Sequence, residues 1–143
     1  MDKIGWAKKT LWVRRGQHFT IEVSHHNLGY EDAHTRRGPH RWCVYAYIYP
    51  THPHFANFSG DNMWQEAATD LPLHGGPTLL RWHYLKDETT PAAVATSVQV
   101  GADYNHLGDD YYTFISAKDD AGAVFADAED LFDWLSARKG EEE

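Results

Sequence analysis

Two short segments combine histidine, glycine and carboxylate residues, the groups that most often move protons or hold metal ions. Residues 74–78 read His-Gly-Gly-Pro-Thr, and residues 103–110 read Asp-Tyr-Asn-His-Leu-Gly-Asp-Asp. Glycine lets the backbone approach another group closely and adopt a positive φ. Histidine titrates near neutral pH, and imidazole and carboxylate groups are common metal ligands. These segments are therefore the first candidates for a functional site.

The spacing in the second segment suits a metal ion. Asp103, His106 and Asp109 follow one another at intervals of three residues. Such a spacing places side chains on one side of a helical turn. With His52 or His74 added, the set offers three or four nitrogen and oxygen ligands, enough for zinc or a similar ion. The predicted metal ligands are His52, His74, Asp103 and His106.

Without a metal, the same residues suit general acid–base chemistry. His74 or His106 would act as the base, and Asp103 would orient its ring and raise its basicity. Backbone N–H groups of a glycine pair can hold an anion, so a small nucleotide is a candidate ligand. The residues predicted to bind this ligand are Gly75, Gly76, Thr78, Tyr104 and Asp109.

Simpler interpretations of both segments stay open. Residues 103–110 are rich in turn-forming side chains, so they could be only an Asx-rich loop. The glycine pair at 75–76 could be only a tight turn. The chain contains no His-Glu-x-x-His motif, no serine in a nucleophile elbow and no phosphate-binding glycine loop. The sequence therefore leaves open whether the protein is an enzyme.

Five segments have the composition and alternation of β-strands. The strongest is residues 42–49, which place apolar side chains on one face and Tyr45, Tyr47 and Tyr49 on the other. The five predicted strands are residues 10–14, 18–24, 42–49, 79–85 and 94–102. Short links join the first two and the last two, which favours antiparallel hairpins.

One helix follows the strands. Apolar residues recur at steps of three and four from Ala121 to Leu135, and Ser116 is the predicted cap. The chain is therefore predicted to be an α+β domain, an antiparallel sheet of about five strands with one C-terminal amphipathic helix packed on one face. In this fold we expect three segments to meet in one polar pocket: His52-Pro53, residues 74–78 and residues 103–110.

Composition limits the class of protein. With 42% apolar and 14% aromatic residues, the 143-residue chain can bury the core of one domain, predicted over residues 1–139 with an acidic disordered tail at 140–143. No stretch is apolar enough to span a membrane, and the N-terminus lacks a signal-peptide pattern. The expected location is the cytoplasm. Cys43, the one cysteine, is expected to be buried.

Charge is unevenly divided along the chain. Residues 1–50 hold eight Lys or Arg and four Asp or Glu, whereas residues 51–143 hold five and seventeen, within a net charge of −8. The acidic part disfavours direct binding to nucleic acid. It instead suits a partner protein with a basic surface, including a surface that normally binds DNA or RNA.

Three motifs in order resemble a family of small uncharacterised proteins of phages and mobile elements. They are His52-Pro53, the His-Gly-Gly-x-Thr of residues 74–78, and the Asp-x-x-His-x-Gly-Asp of residues 103–109. The resemblance covers residues 42–112 and departs from the family pattern at Pro77. It implies a phage-like origin and a polar site, and it implies no particular reaction.

Three functional hypotheses result. The first is a phage-type accessory protein that binds and inhibits a host defence factor, in the manner of an anti-CRISPR protein, through acidic residues 103–133 and the His/Asp/Gly site. The alternative is a small metal-dependent hydrolase acting on a nucleotide or another phosphate-bearing substrate. The third is a structural role, in which the face formed by Tyr45, Tyr47 and Tyr49 is the contact surface.

Overall fold

Residues 42–48 lie in the central strand of the sheet, and their alternating pattern agrees with a strand that has one buried face. The protein is described from a computed structural model, which covers residues 8–28, 38–86, 93–104 and 110–138. The strands are β1 (Lys8–Gly16), β2 (Phe19–Asn27), β3 (His40–Ile48), β4 (Leu79–Lys86) and β5 (Ala93–Asp103). The helices are α1 (Glu66–Thr69) and α2 (Gly122–Ala137), and short 3₁₀ turns span Pro53–Asn57, Asp110–Phe114 and Lys118–Asp120.

The five strands form one antiparallel sheet in the order β1-β2-β3-β5-β4. Hairpins join β1 to β2 and β4 to β5, and β5 inserts between β3 and β4. Helix α2 packs against β1, β2 and β3. The predicted α+β fold, with a five-stranded antiparallel sheet and a C-terminal helix on one face, is confirmed.

The pairing of β2 with β3 places the aliphatic side chains of both strands, together with Phe19 and Trp42, on one face. Val23 lies opposite Val44, and Ile21 lies opposite Ala46. Because strand side chains alternate, the intervening residues point to the other face. The core-facing residues are at most 2% exposed: Phe19, Ile21, Val23, Trp42, Val44, Ala46 and Ile48.

Helix α2 covers this apolar face with its own buried stripe. Val124, Ala128, Leu131 and Leu135 are fully buried, at the three- and four-residue spacing that the sequence predicts. The predicted cap, Ser116, is wrong. A 3₁₀ turn at Lys118–Asp120 precedes the helix, the N-cap residue is Ala121, and no side chain caps the first turn.

The segment between β3 and β4 packs beside α2 on the same face of the sheet, over β4 and β5. Phe58, Ala67 and Leu71 from the segment between β3 and β4 belong to the same buried core as the strands. The ring of Phe55 also meets the ring of Trp82 on β4 edge to face, with centroids 5.5 Å apart. This segment therefore holds the 3₁₀ turn Pro53–Asn57 and α1 in fixed positions against the sheet.

Neither described helix has the length and apolar character needed to cross a membrane. Cys43 is buried and forms no disulfide, as expected. The predicted acidic tail at residues 140–143 lies outside the described residues.

Candidate functional site

The sheet register decides which of the predicted site residues can meet. Cys43 lies opposite Asp103, and Ile48 lies opposite Val98. Asp103, the last residue of β5, therefore lies beside the first half of β3. His52 instead follows the last residue of β3. At about 3.3 Å per residue, Cys43 and Ile48 are roughly 17 Å apart along β3. The antiparallel pairing thus separates His52 from Asp103.

Residues 74–78 do lie at the same end as Asp103. The backbone N–H of Thr78 donates to the carbonyl of Gly101 over 2.8 Å, and its Oγ1 accepts from the N–H of Asp103 over 3.0 Å. Thr78 therefore joins the beginning of β4 to the end of β5. The structure brings His74, Thr78, Asp103 and Tyr104 to one end of the sheet. His106 and Asp109 lie outside the described residues.

His74 and Asp103 nevertheless lie on opposite faces of the sheet. His74 stacks on the ring of Tyr104, with centroids 4.3 Å apart and planes 17° apart. The hydroxyl of Tyr104 donates to Asp127 Oδ2 on α2 over 2.5 Å, so Tyr104 points towards the helix. Asp103, its neighbour in the strand, must point to the other face. Among the described residues, no hydrogen bond joins Asp103 to His74.

The glycine pair forms a turn in the left-handed region. Gly75 has φ 69° and Gly76 has φ 88°, a conformation that favours glycine. The N–H of Gly76 donates to the carbonyl of Leu73 over 3.0 Å, so that donor is already used within the turn. The tight-turn interpretation accounts for both glycines.

His52 is a structural connector between α2 and the 3₁₀ turn Pro53–Asn57. It is 1% exposed, and its Nε2 lies 2.9 Å from the carbonyl of Leu135. A carbonyl only accepts, so Nε2 carries the proton, and Nδ1 accepts from the N–H of His54 over 3.0 Å. Both ring nitrogens are therefore used. Burial lowers the pKa of His52, partly opposed by the bond to Leu135, so the ring is held neutral.

His54 is satisfied in the same way. Its Nε2 lies 2.8 Å from the carbonyl of Ala67, to which it donates, and its Nδ1 accepts from the side-chain amide of Asn57 over 3.1 Å. The described residues contain no group of three or more His, Cys, Asp or Glu side chains placed to hold a metal ion. The hydrolase hypothesis thus stays a prediction that depends on His106 and Asp109.

The tyrosines on the far face of the sheet also bond within the fold. Tyr47 donates to Glu22 over 3.1 Å, and the hydroxyl of Tyr49 lies 2.7 Å from that of Thr20. Burial, followed by the nearby carboxylate of Glu22, raises the pKa of Tyr47. Burial also raises the pKa of Tyr45. The phenols of Tyr45 and Tyr47 therefore stay protonated.

A cavity of about 660 Å³ lies at the C-terminal end of α2. His54, Asp70, Trp134 and Arg138 are among its lining residues. Arg138 lies over the ring of Trp134, 3.6 Å from its centroid, and donates to the carbonyl of Trp134 over 2.9 Å. His54 and Arg138 are both engaged with neighbouring groups.

Helix α2 and the turn before it present carboxylates to solvent. Within Gly122–Ala137 there are four acidic residues and no Lys or Arg. Asp127 is bonded to Tyr104, and Glu129 forms an ion pair with Arg14. The remaining carboxylates are exposed and have no partner among the described residues: Asp119, Asp120, Asp130 and Asp133. We refer to these four residues as the acidic segment.

No protein-family model matches the chain, and no curated protein and no solved structure matches it. Function is therefore inferred from the chain's own residues and their geometry.

Proposed function

We propose that this protein binds a partner protein by placing its acidic segment against a positively charged surface. The observation that carries the proposal is the charge of α2, whose side chains include four carboxylates and no cation. Asp130 and Asp133 are exposed and have no partner among the described residues. They are therefore accessible to the cationic side chains of another protein.

The stability of α2 does not explain these carboxylates. Asp130 and Asp133 are three residues apart, and Glu129 and Asp133 are four apart, so like charges adjoin on the helix surface. Each such pair destabilises a helix by about 0.2 to 0.5 kcal/mol. Asp133 also lies near the negative end of the helix dipole, where a carboxylate is disfavoured. Carboxylates that lower the stability of α2 and yet lie on its exposed face support a role in binding.

Electrostatic complementarity gives such a surface a fast and selective way to find its partner. An acidic surface competes best for sites that otherwise hold the phosphate backbone of DNA or RNA. The proposal therefore includes a host defence factor as the partner, with inhibition arising from occupation of its nucleic-acid channel, in the manner of an anti-CRISPR protein. This part of the proposal is supported by the resemblance to phage-type proteins and by the negative charge.

Two charge-matched variants test the proposal. The test variant, Asp130→Asn with Asp133→Asn, removes two exposed carboxylates from α2. The control, Glu66→Gln with Asp70→Asn, removes two exposed carboxylates from α1 and its C-terminal end. Binding to an octalysine peptide is measured by calorimetry at low and at physiological salt.

We expect the α2 variant to bind at least about fivefold more weakly than the control, with the difference shrinking as salt screens the charges. Equal binding by the two variants would show that only net charge matters, and it would overturn the proposal. A capture experiment with proteins of a bacterial host then extends the comparison to specific partners.

A further inference from the structure

A second cleft lies at the β4 edge of the sheet, away from the acidic segment in sequence and from the predicted His/Asp/Gly site. Its volume is about 530 Å³. Three aromatic residues, Phe58, Trp82 and Tyr84, line it together with the carboxylate residue Asp61. Phe58 is 6% exposed and belongs to the core, whereas Tyr84 is 57% exposed. The cleft therefore has one buried aromatic side chain, Phe58, and one exposed aromatic side chain, Tyr84.

Hydrogen bonds hold the loop of this cleft in place. The indole N–H of Trp82 donates to the carbonyl of Gly60 over 2.8 Å. Gln65 secures the same loop, because its Oε1 accepts from the N–H of Ser59 over 2.9 Å and its Nε2 donates to the carbonyl of Ser59 over 3.0 Å. Gly60 has φ 67°, which favours glycine at this turn. A site fixed before binding loses little conformational entropy when a ligand enters.

The chemistry of the lining suits a cation. The faces of Trp and Tyr rings carry negative potential and attract ammonium and guanidinium groups. Asp61 is exposed and forms no hydrogen bond or ion pair with any described residue, so its carboxylate can pair with such a group. The net charge of −8 adds a long-range attraction for positive ligands.

We propose that this cleft binds the cationic side chain of an arginine or lysine residue presented by a protein partner. The aliphatic stem of that side chain packs on Trp82 and Tyr84, and its charged end meets Asp61. A carbohydrate also stacks on aromatic rings, but a sugar needs several polar groups around its hydroxyls. Among the described lining residues, Asp61, Ser59 and the hydroxyl of Tyr84 are the polar side-chain groups besides the indole N–H of Trp82, which is already bonded to Gly60. The cation is therefore the better match.

The cleft is tested with small probes on the full chain labelled with ¹⁵N. The probes are Nα-acetyl-arginine methylamide, its lysine counterpart, and the citrulline analogue, which has nearly the shape of arginine without its charge. The indole N–H signal of Trp82, identified by its loss in Trp82→Phe, reports binding. We expect both cationic probes to shift this signal saturably, and citrulline to bind at least about fivefold more weakly.

Variants separate the cleft from general charge effects. Asp61→Asn and Tyr84→Ala should each weaken arginine binding by about threefold or more. The matched controls Asp70→Asn and Tyr111→Ala, which change an exposed carboxylate and a 67% exposed tyrosine elsewhere, should leave it unchanged. Retained dispersion of the amide spectrum shows that each variant is folded.

Three results would overturn the inference: no shift of the Trp82 signal, an equal response to citrulline and arginine, or a response to methyl glucoside alone. The last would assign the cleft to a carbohydrate. The inference is independent of the acidic segment, because Asp130→Asn with Asp133→Asn should leave the Trp82 response unchanged. Failure of one proposal can thus be told apart from failure of the other.

Discussion

Two histidines of this protein have a structural role. One of them, His52, lies in a segment whose sequence suggested a metal ligand. His52 and His54 each donate through Nε2 to a backbone carbonyl and accept through Nδ1 from a donor of the same 3₁₀ turn. Such bonding requires the neutral ring, because a protonated imidazole has no acceptor. These two histidines therefore connect the end of α2 and α1 to the sheet.

The pH dependence of unfolding tests this role for His52. Burial lowers its pKa below the ordinary value in the folded state, so the unfolded chain binds more protons in the range between the two values. The free energy of unfolding should therefore fall as the pH falls below about 6.5, the ordinary histidine value. In His52→Gln, whose amide can also donate and accept, urea denaturation should show a shallower loss over this range.

His83→Gln is the control for that comparison. It removes a half-buried imidazole from the opposite face of the sheet, where His83 lies 2.7 Å from Gln99, and should leave the His52 contribution in place. If His52→Gln retained the full slope of the native protein, the assignment of a neutral, bonded His52 would be incorrect.

At the scale of the elements, alternation and helical spacing were enough to predict the fold class. The strand at 42–49 and the apolar stripe from Ala121 to Leu135 both appear where their periodicities place them. The start of α2 could not be predicted, because Asp119 and Asp120 suit a 3₁₀ turn as well as a first helical turn. Strand order could not be predicted from the sequence either, because β5 pairs with β3 through residues that are fifty or more positions apart.

Glycine variants test the central pairing of β3 with β5. A Cβ added at Gly101 would lie 2.2 Å from the carbonyl oxygen of Val44 and 2.4 Å from a ring carbon of Tyr45. Gly101→Ala should therefore destabilise the protein by about 2 kcal/mol or more, because backbone must move. Gly122, in the first turn of α2, has nothing within 4 Å of an added Cβ.

The matched variant Gly122→Ala should be neutral or stabilising by up to about 0.5 kcal/mol, because alanine favours the helix. Thermal and urea unfolding measure both changes. A Gly101→Ala protein as stable as the native one would mean that β3 and β5 do not approach as closely as described.

A charge reversal on α2 tests whether its carboxylates oppose stability. In Asp133→Lys, the new cation lies four residues after Glu129 and three after Asp130, and it suits the negative end of the helix dipole. We expect α2 to gain about 0.5 to 1 kcal/mol, measured by urea unfolding. Binding to octalysine should weaken in the same variant. Loss of stability would contradict the view that these carboxylates are kept for binding.

At the scale of the whole molecule, the structure brings together only some of the described residues that the sequence predicts for one site. The sequence correctly brought residues 74–78 to the end of the strand that ends at Asp103. It could not show that His74 stacks on Tyr104, on the face of the sheet opposite to Asp103. It also could not place His52 at the other end of β3, because that depends on the direction of each strand. The cleft of Asp61, Trp82 and Tyr84 was missed, since residues far apart in sequence form it.

The layout of charge over the molecule is what connects the sequence to the proposed function. The excess of negative charge in the C-terminal part of the sequence is found on the exposed face of α2. The opposite face of α2 is a fully buried apolar stripe. Because α2 rests on the sheet through Val124, Ala128, Leu131 and Leu135, its outer side chains can change without loss of the core. The proposed binding surface and the folding core thus use different faces of one helix.

The most direct test maps where a basic ligand lands on the folded protein. Octalysine is titrated into the ¹⁵N-labelled chain, and backbone amide shifts are followed at low and physiological salt. We expect the largest shifts at residues 118–120 and 129–134, with weaker binding at higher salt and smaller shifts in Asp130→Asn with Asp133→Asn. If the amides of α2 stay unmoved while others shift, the acidic segment is not the binding surface.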